Sequence, residues 1–149
     1  METQESLTEH YRRMRADLTA SIEGLSEAQL TATTLDGWSV KDNLAHIAFW
    51  DDLRAEEIGR ISRGFESVLK MSPEQDDALN EMAYDLRRGL SLFQVLWELR
   101  NSGERLFAAI GGAAGRGLDA KAYGEAGLVS HHGALHAGYI RAWRERQGI

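Results

Sequence analysis

Apolar residues recur at intervals of three and four positions through four long stretches of this chain, and no segment alternates as a strand would. The clearest run is Leu92, Val95, Leu96, Leu99, Gly103, Leu106, Phe107 and Ile110. A period near 3.6 places all of them on one helical face. Leu7, Tyr11, Met14, Leu18, Ile22 and Leu25 repeat the pattern, as do Val40, Leu44, Ile47, Ala48, Ile58 and Ile61. A fourth face collects Leu128, Val129, His132, Leu135, His136, Tyr139, Ile140 and Trp143. A single proline and a heavy load of Leu, Ala, Glu and Arg favour helix throughout. The spacing therefore predicts an all-α chain, one domain over residues 1–149, built as a four-helix bundle.

Local signals set the expected boundaries. The first helix runs from Ser6 to Glu23 and stops at Gly24. Ser26-Glu27-Ala28-Gln29 has the form of a capping box opening a short turn, and Thr31 to Trp38 reads as a loop. The second long helix starts at Ser39, an N-cap with Asp42 three residues on, and reaches Ile61. Arg63 to Met71 is a linker. Ser72-Pro73-Glu74-Gln75 opens a short helix that Gly89 ends after Arg88. Ser91-Leu92-Phe93-Gln94 is a further capping box, before the run that Gly111-Gly112 stops. The glycine- and alanine-rich stretch to Asp119 reads as mobile. The last helix is expected from Tyr123 to Arg146. Gly124, Gly127, Gly133 and Gly138 within it each cost up to about 1 kcal/mol against Ala, which points to close approach of another helix or a ligand. The passage of roughly thirty residues between the second and third long helices is long enough to cross the bundle and let those two run parallel.

Composition narrows the chemistry. Cysteine is absent, so disulfides, thiolate ligands and a cysteine nucleophile are excluded. The net charge of −6 argues against a nucleic-acid or anionic-membrane partner. No stretch reaches the roughly 18–20 apolar residues of a membrane span, METQESLTEH lacks the form of a signal peptide, and the expected location is cytoplasmic.

Two histidines interrupt the fourth apolar face near its centre. His132 and His136 are spaced i, i+4, which sets their Cβ atoms about 5–6 Å apart. His46 lies inside the second helical pattern. Burying three imidazoles without a shared partner is expensive, so a metal held by His46, His132 and His136 is the leading expectation. Neutral imidazoles suit Zn, Ni, Co or Fe(II). A three-histidine zinc site brings water to a pKa of about 7 and would turn a bound thiol into thiolate. His131 sits about 100° away on the wheel and reads as a rim residue. His10 reads as a packing or surface residue, distant from His46.

Asp51 falls near the centre of the second apolar face and needs a partner. It is a candidate catalytic base or acceptor for a ligand histidine, against the alternative of an ion pair with an arginine from another helix. Trp50, one turn from His46, and Tyr139 are candidate substrate-pocket residues. Trp38 and Trp143 read as core. Asn80 is explained equally well by a functional role and by capping or loop bracing.

The run Gly37-Trp38-Ser39-Val40-Lys41-Asp42-Asn43-Leu44-Ala45-His46-Ile47-Ala48-Phe49-Trp50 resembles the helix-two signature of the DinB/YfiT-like superfamily of metal-dependent enzymes. Asp76-Asp77-Ala78-Leu79-Asn80, the segment Ser91 to Leu106 and the ending His132 to Trp143 resemble its ClbS/DfsB branch. The resemblance implies a four-helix bundle of up-down-down-up topology with a metal triad at His46, His132 and His136. It also implies a reaction class, since members include thiol-dependent transferases and isomerases and a cyclopropane hydrolase that disarms a genotoxin. The expected function is a metal-dependent hydrolase or S-transferase acting on a small electrophile in detoxification, with a low-molecular-weight thiol as candidate cosubstrate. The alternatives are a non-catalytic small-molecule binding or sequestration protein, and a module that forms a homodimer through an exposed apolar helix face.

Overall fold

The computed structural model describes residues 1–33 and 35–149. Thr34, within the expected loop from Thr31 to Trp38, lies outside the described residues. Among the described residues six α-helices follow in order: α1 Gln4–Ile22, α2 Glu27–Thr31, α3 Val40–Ser62, α4 Pro73–Arg87, α5 Leu92–Gly111 and α6 His132–Gln147. Two 3-10 turns, Gly115–Leu118 and Ala120–Ala122, lie between α5 and α6. Each of α1 to α5 opens on a capping box, with Thr3, Ser26, Ser39, Ser72 or Ser91 accepting from the backbone N–H three residues on. These reciprocal bonds satisfy donors that a helix start otherwise leaves bare, and fix where each helix begins.

The direction of each long helix follows from what its ends bury. One core cluster joins Leu7 and Tyr11 of early α1 to Ile58 and Ile61 of late α3, and to Leu106 and Ile110 of late α5. A second joins Leu18 of late α1 to Val40 and Leu44 of early α3, Val95 of early α5, and Ile140 and Trp143 of α6. So α1 runs opposite to both α3 and α5, which are parallel. Arg141 pairs with Asp17, and Arg144 donates to the Ser21 and Glu23 carbonyls, so α6 runs alongside α1. The order is up-down-down-up. The crossover between α3 and α5 is anchored by Glu57, 1 % exposed, whose carboxylate accepts from the Ser67 hydroxyl and the Val68 backbone N–H.

Two expectations need correction. The last helix begins at His132, not near Tyr123. Tyr123, Ala126 and Leu128 are buried, which imitates a helical face, but their backbone is bonded by side chains from other helices. Arg54 donates to the Ala126 and Gly127 carbonyls, Tyr11 to Leu128 and His10 to Ser130. Side-chain donors thus replace the helical ladder. The glycines mark this. A Cβ on Gly124 would lie 2.1 Å from the Leu69 carbonyl oxygen, and one on Gly133 would lie 3.2 Å from Met14, whereas Gly138 faces open space. Leu135 and Tyr139, placed on the apolar face by the wheel, are each 49 % exposed. The second correction concerns the stretch after Gly112, read as mobile. It packs as the two 3-10 turns, with Ala113, Gly117 and Ala122 buried against the end of α3.

Candidate metal centre

The second turn of α3 and the start of α6 face each other across the bundle and bring His46, His132 and His136 together. One ring nitrogen from each lies within 4.8 Å of the others. The ring centroids are 4.7, 4.9 and 4.8 Å apart pairwise, and Nε2 of His46 is 3.0 Å from Nε2 of His132. Tetrahedral ligands at about 2.0–2.1 Å from zinc would stand about 3.3 Å from one another, so His46 and His132 already have that spacing and the rest of the set, within 4.8 Å, needs only a modest approach. No carboxylate joins the group among the described residues.

The polar surroundings prepare the free nitrogen of His136 as an acceptor. Nδ1–H of His136 donates to Asn43 Oδ1 at 2.6 Å, and Asn43 Nδ2 donates to the Ser39 carbonyl at 2.9 Å. That chain sets the amide orientation, holds the His136 proton on Nδ1 and leaves the Nε2 lone pair free, the tautomer a metal needs. Asn43 was not singled out in the sequence, although a polar residue three positions after Val40 on a buried stripe was the available signal. Asn43→Ala is expected to weaken divalent-metal affinity roughly 10–100-fold with the helix content unchanged, as measured by competition with a chromogenic chelator.

Burial also keeps the rings neutral. It lowers the His46 and His136 pKa values to about 4 each, and His132 to about 3, where the neighbouring histidines and the Arg54 guanidinium add to it. The unfolded chain takes up these protons near the ordinary value of about 6.5. The three rings' contribution to the stability of the metal-free protein is thus level above that pH and declines as pH falls from about 6.5 through the folded values of about 4 and about 3. Thermal melts of metal-free protein are expected to drop across this window, and to drop less steeply in His132→Ala.

The remaining candidates separate clearly. Of the two roles read for Asp51, the geometry shows the ion pair. Oδ1 accepts from Arg54 and Oδ2 from Arg15, both at 2.6 Å. Burial pushes this carboxyl upward, and the two guanidinium groups pull it back. Trp50 is buried, donates through Nε1 to Asn80 Oδ1 at 2.7 Å and sets its ring 6.5 Å from His132, so Asn80 braces α4 on α3. Tyr139 packs edge-on against His136 at 5.4 Å. His131 is exposed and meets His10 at 5.0 Å, away from the triad. Trp143 is core, but Trp38 is only half-buried. It stacks on Tyr84 and sets its ring 5.4 Å from His46.

The two larger of the cavities that adjoin the histidines are open to substrate-sized molecules. One of ≈ 170 Å³ is lined by His46, Trp50, Arg54, Asp76, Glu125 and His132 among others. The other, ≈ 410 Å³, is lined by Trp38, Asn43, His136, Tyr139 and Arg146 among others. The triad thus stands beside open space on two sides, as a site with positions left for exogenous ligands requires.

Comparison with known proteins agrees with this architecture. Over its full length the chain superposes on the crystal structure of an uncharacterised protein from Escherichia coli UTI89, with a TM-score of 0.77 at 16% identity, covering 96% of that chain. At that identity the likeness speaks to the fold. No curated protein matches. The family model described as DinB superfamily matches residues 10–140, a span that includes all three histidines, the whole of α3 and α5, most of α1 and the first half of α6. On that match the chain belongs to the DinB superfamily.

Proposed function

We propose that this protein is a metal-dependent enzyme of the ClbS/DfsB kind, acting on a small electrophilic molecule as a hydrolase or thiol-dependent transferase. The observation that carries the reading is the convergence of three neutral imidazoles, one with its tautomer fixed by Asn43, beside two cavities. His46, His132 and His136 would hold the ion. When bound, a divalent ion supplies a Lewis acid that makes water or a low-molecular-weight thiol a competent nucleophile at neutral pH. The chain's own groups supply placement. Asn43 orients His136, the strap of Arg54, Tyr11 and His10 fixes the segment leading to His132, and Trp50 and Tyr139 border the space where substrate would sit.

The test is metal analysis joined to turnover. Protein made without a histidine tag in medium containing Zn, Ni, Co and Fe is expected to carry about one ion per chain. It should turn over a member of a panel of epoxides, cyclopropanes and thiol acceptors, lose that activity on chelation and regain it with metal. Turnover undiminished in metal-free protein would overturn the reading. Stoichiometric metal with ligand binding but no turnover across the panel would favour sequestration instead.

A further inference from the structure

We propose that the larger cavity beside the triad selects substrates with a planar aromatic body, and that Trp38 is the residue that sets this preference. The inference rests on the metal-site reading and adds to it the class of molecule the site receives.

Three observations carry it. The cavity of ≈ 410 Å³ has the size of a small-molecule site and is bounded by Leu35, Trp38, Tyr139 and Ala142, with Asn43 and His136 as its polar groups nearest the triad. Its two aromatic residues are not consumed by the core, since Trp38 is half-buried and Tyr139 is 49 % exposed. Trp38 is also packed on one side. Tyr84 stacks on it with centroids 5.1 Å apart and an interplanar angle of 4°, and it borders the larger cavity as well as the small space that Tyr84 lines.

The backbone that presents Trp38 is specialised. Leu35 and Trp38 exchange both backbone hydrogen bonds across Asp36-Gly37, a two-residue turn. Asp36 takes φ 53°, the only positive value at a non-glycine residue among the described residues, and Gly37 takes φ 90°. A turn with two positive φ values carries a conformational cost at Asp36, though Asp tolerates it better than most residues. The turn sets Trp38 beside His46, and Asp36 lines the cavity together with Arg146, neither of them in an ion pair among the described residues. A flat ring lying against Trp38 gains offset-stacking contact that a saturated ring of the same skeleton cannot. Its inner end would meet His136 and Asn43, and a polar outer substituent would meet Asp36 or Arg146.

The probes are 2-naphthol and its saturated counterpart decahydro-2-naphthol, titrated by calorimetry into zinc-loaded protein and into His132→Ala protein. Nitrogen-15 spectra would locate the site. The naphthol is expected to bind about 2- to 10-fold tighter than the saturated alcohol and to shift the Trp38 indole N–H. Trp38→Leu should erase that preference, Trp38→Phe should keep part of it, and Tyr139→Ala should weaken naphthol several-fold, each with an unchanged circular dichroism spectrum. Equal or tighter binding of the saturated alcohol, shifts confined to other residues, or a preference that survives Trp38→Leu would overturn the inference. Zinc content measured on the same samples separates the two readings. Zinc without aromatic preference sinks this inference alone, and aromatic preference without zinc sinks the metal reading alone.

Discussion

His132→Ala protein is expected to leave a metal-replete preparation essentially without metal, while His131→Ala retains a full complement. The two residues are adjacent in sequence and differ in direction. His132 aims Nε2 at His46 Nε2, 3.0 Å away, whereas His131 is exposed and packs on His10. Loss of a ligand leaves two imidazoles and a more open sphere, so affinity should fall by more than the roughly 10–100-fold typical of losing an outer hydrogen bond. His46→Ala and His136→Ala are expected to behave alike. Emission spectroscopy on desalted protein gives the stoichiometry, and chelator competition gives the affinity. A metal content in His132→Ala equal to that of the parent would show that the ion sits elsewhere. A second consequence follows from the buried, neutral state of the rings. Removing His132 also removes a proton site of the unfolded chain whose folded counterpart lies at about 3, so at pH 5 the metal-free variant should lose less stability relative to neutral pH than the metal-free parent does.

The long helices and the triad were legible because both depend on spacing. An amphipathic helix needs apolar residues every three to four positions whatever surrounds it, and capping boxes announce its start within a few residues. His132 and His136 were visible for the same reason, as polar residues on a face that otherwise buries carbon. What escaped was whatever depends on contacts between distant segments. The chain from Tyr123 to Ser130 buries Tyr123, Ala126 and Leu128 at helix-like intervals, yet it is not helical, because its carbonyls are satisfied by Arg54, Tyr11 and His10, the last two from a helix more than a hundred residues away in sequence. No local pattern announces such a partner, although four glycines in one supposed helix were a warning. Trp38 departs from the core position its pattern suggests for a similar reason. Its neighbours Tyr84 and His46 come from α4 and α3, and only the assembled fold shows that it borders a cavity.

Arg54→Met is expected to be the most destabilising single change outside the hydrophobic clusters, at about 3–5 kcal/mol. Arg54 is 1 % exposed and uses its whole guanidinium. Nη1 donates to Asp51 at 2.6 Å, Nη2 to the Ala126 carbonyl at 2.7 Å, and Nε to the Ala126 and Gly127 carbonyls at 3.0 and 2.9 Å. Methionine keeps much of the volume but leaves two buried carbonyls without a donor, and Asp51 with Arg15 alone. For a chain of this length, where 1 kcal/mol moves the melting temperature by roughly 2–4 °C, the loss amounts to a shift on the order of 10 °C. Arg15→Met should cost much less, because the Arg15 side chain is 23 % exposed and its departure leaves the Asp51–Arg54 contact in place. Arg105→Ala, which breaks a solvent-facing pair with Asp52, should cost under about 1 kcal/mol. The three melts distinguish a buried brace from surface pairing. Arg54 also ties α3, which carries His46, to the irregular segment that ends at His132. Metal affinity in Arg54→Met, measured well below its melting temperature, is therefore expected to fall along with stability. If affinity instead stayed at the parent value while the protein lost stability, Ser130, Tyr11 and His10 alone would suffice to hold His132 in place.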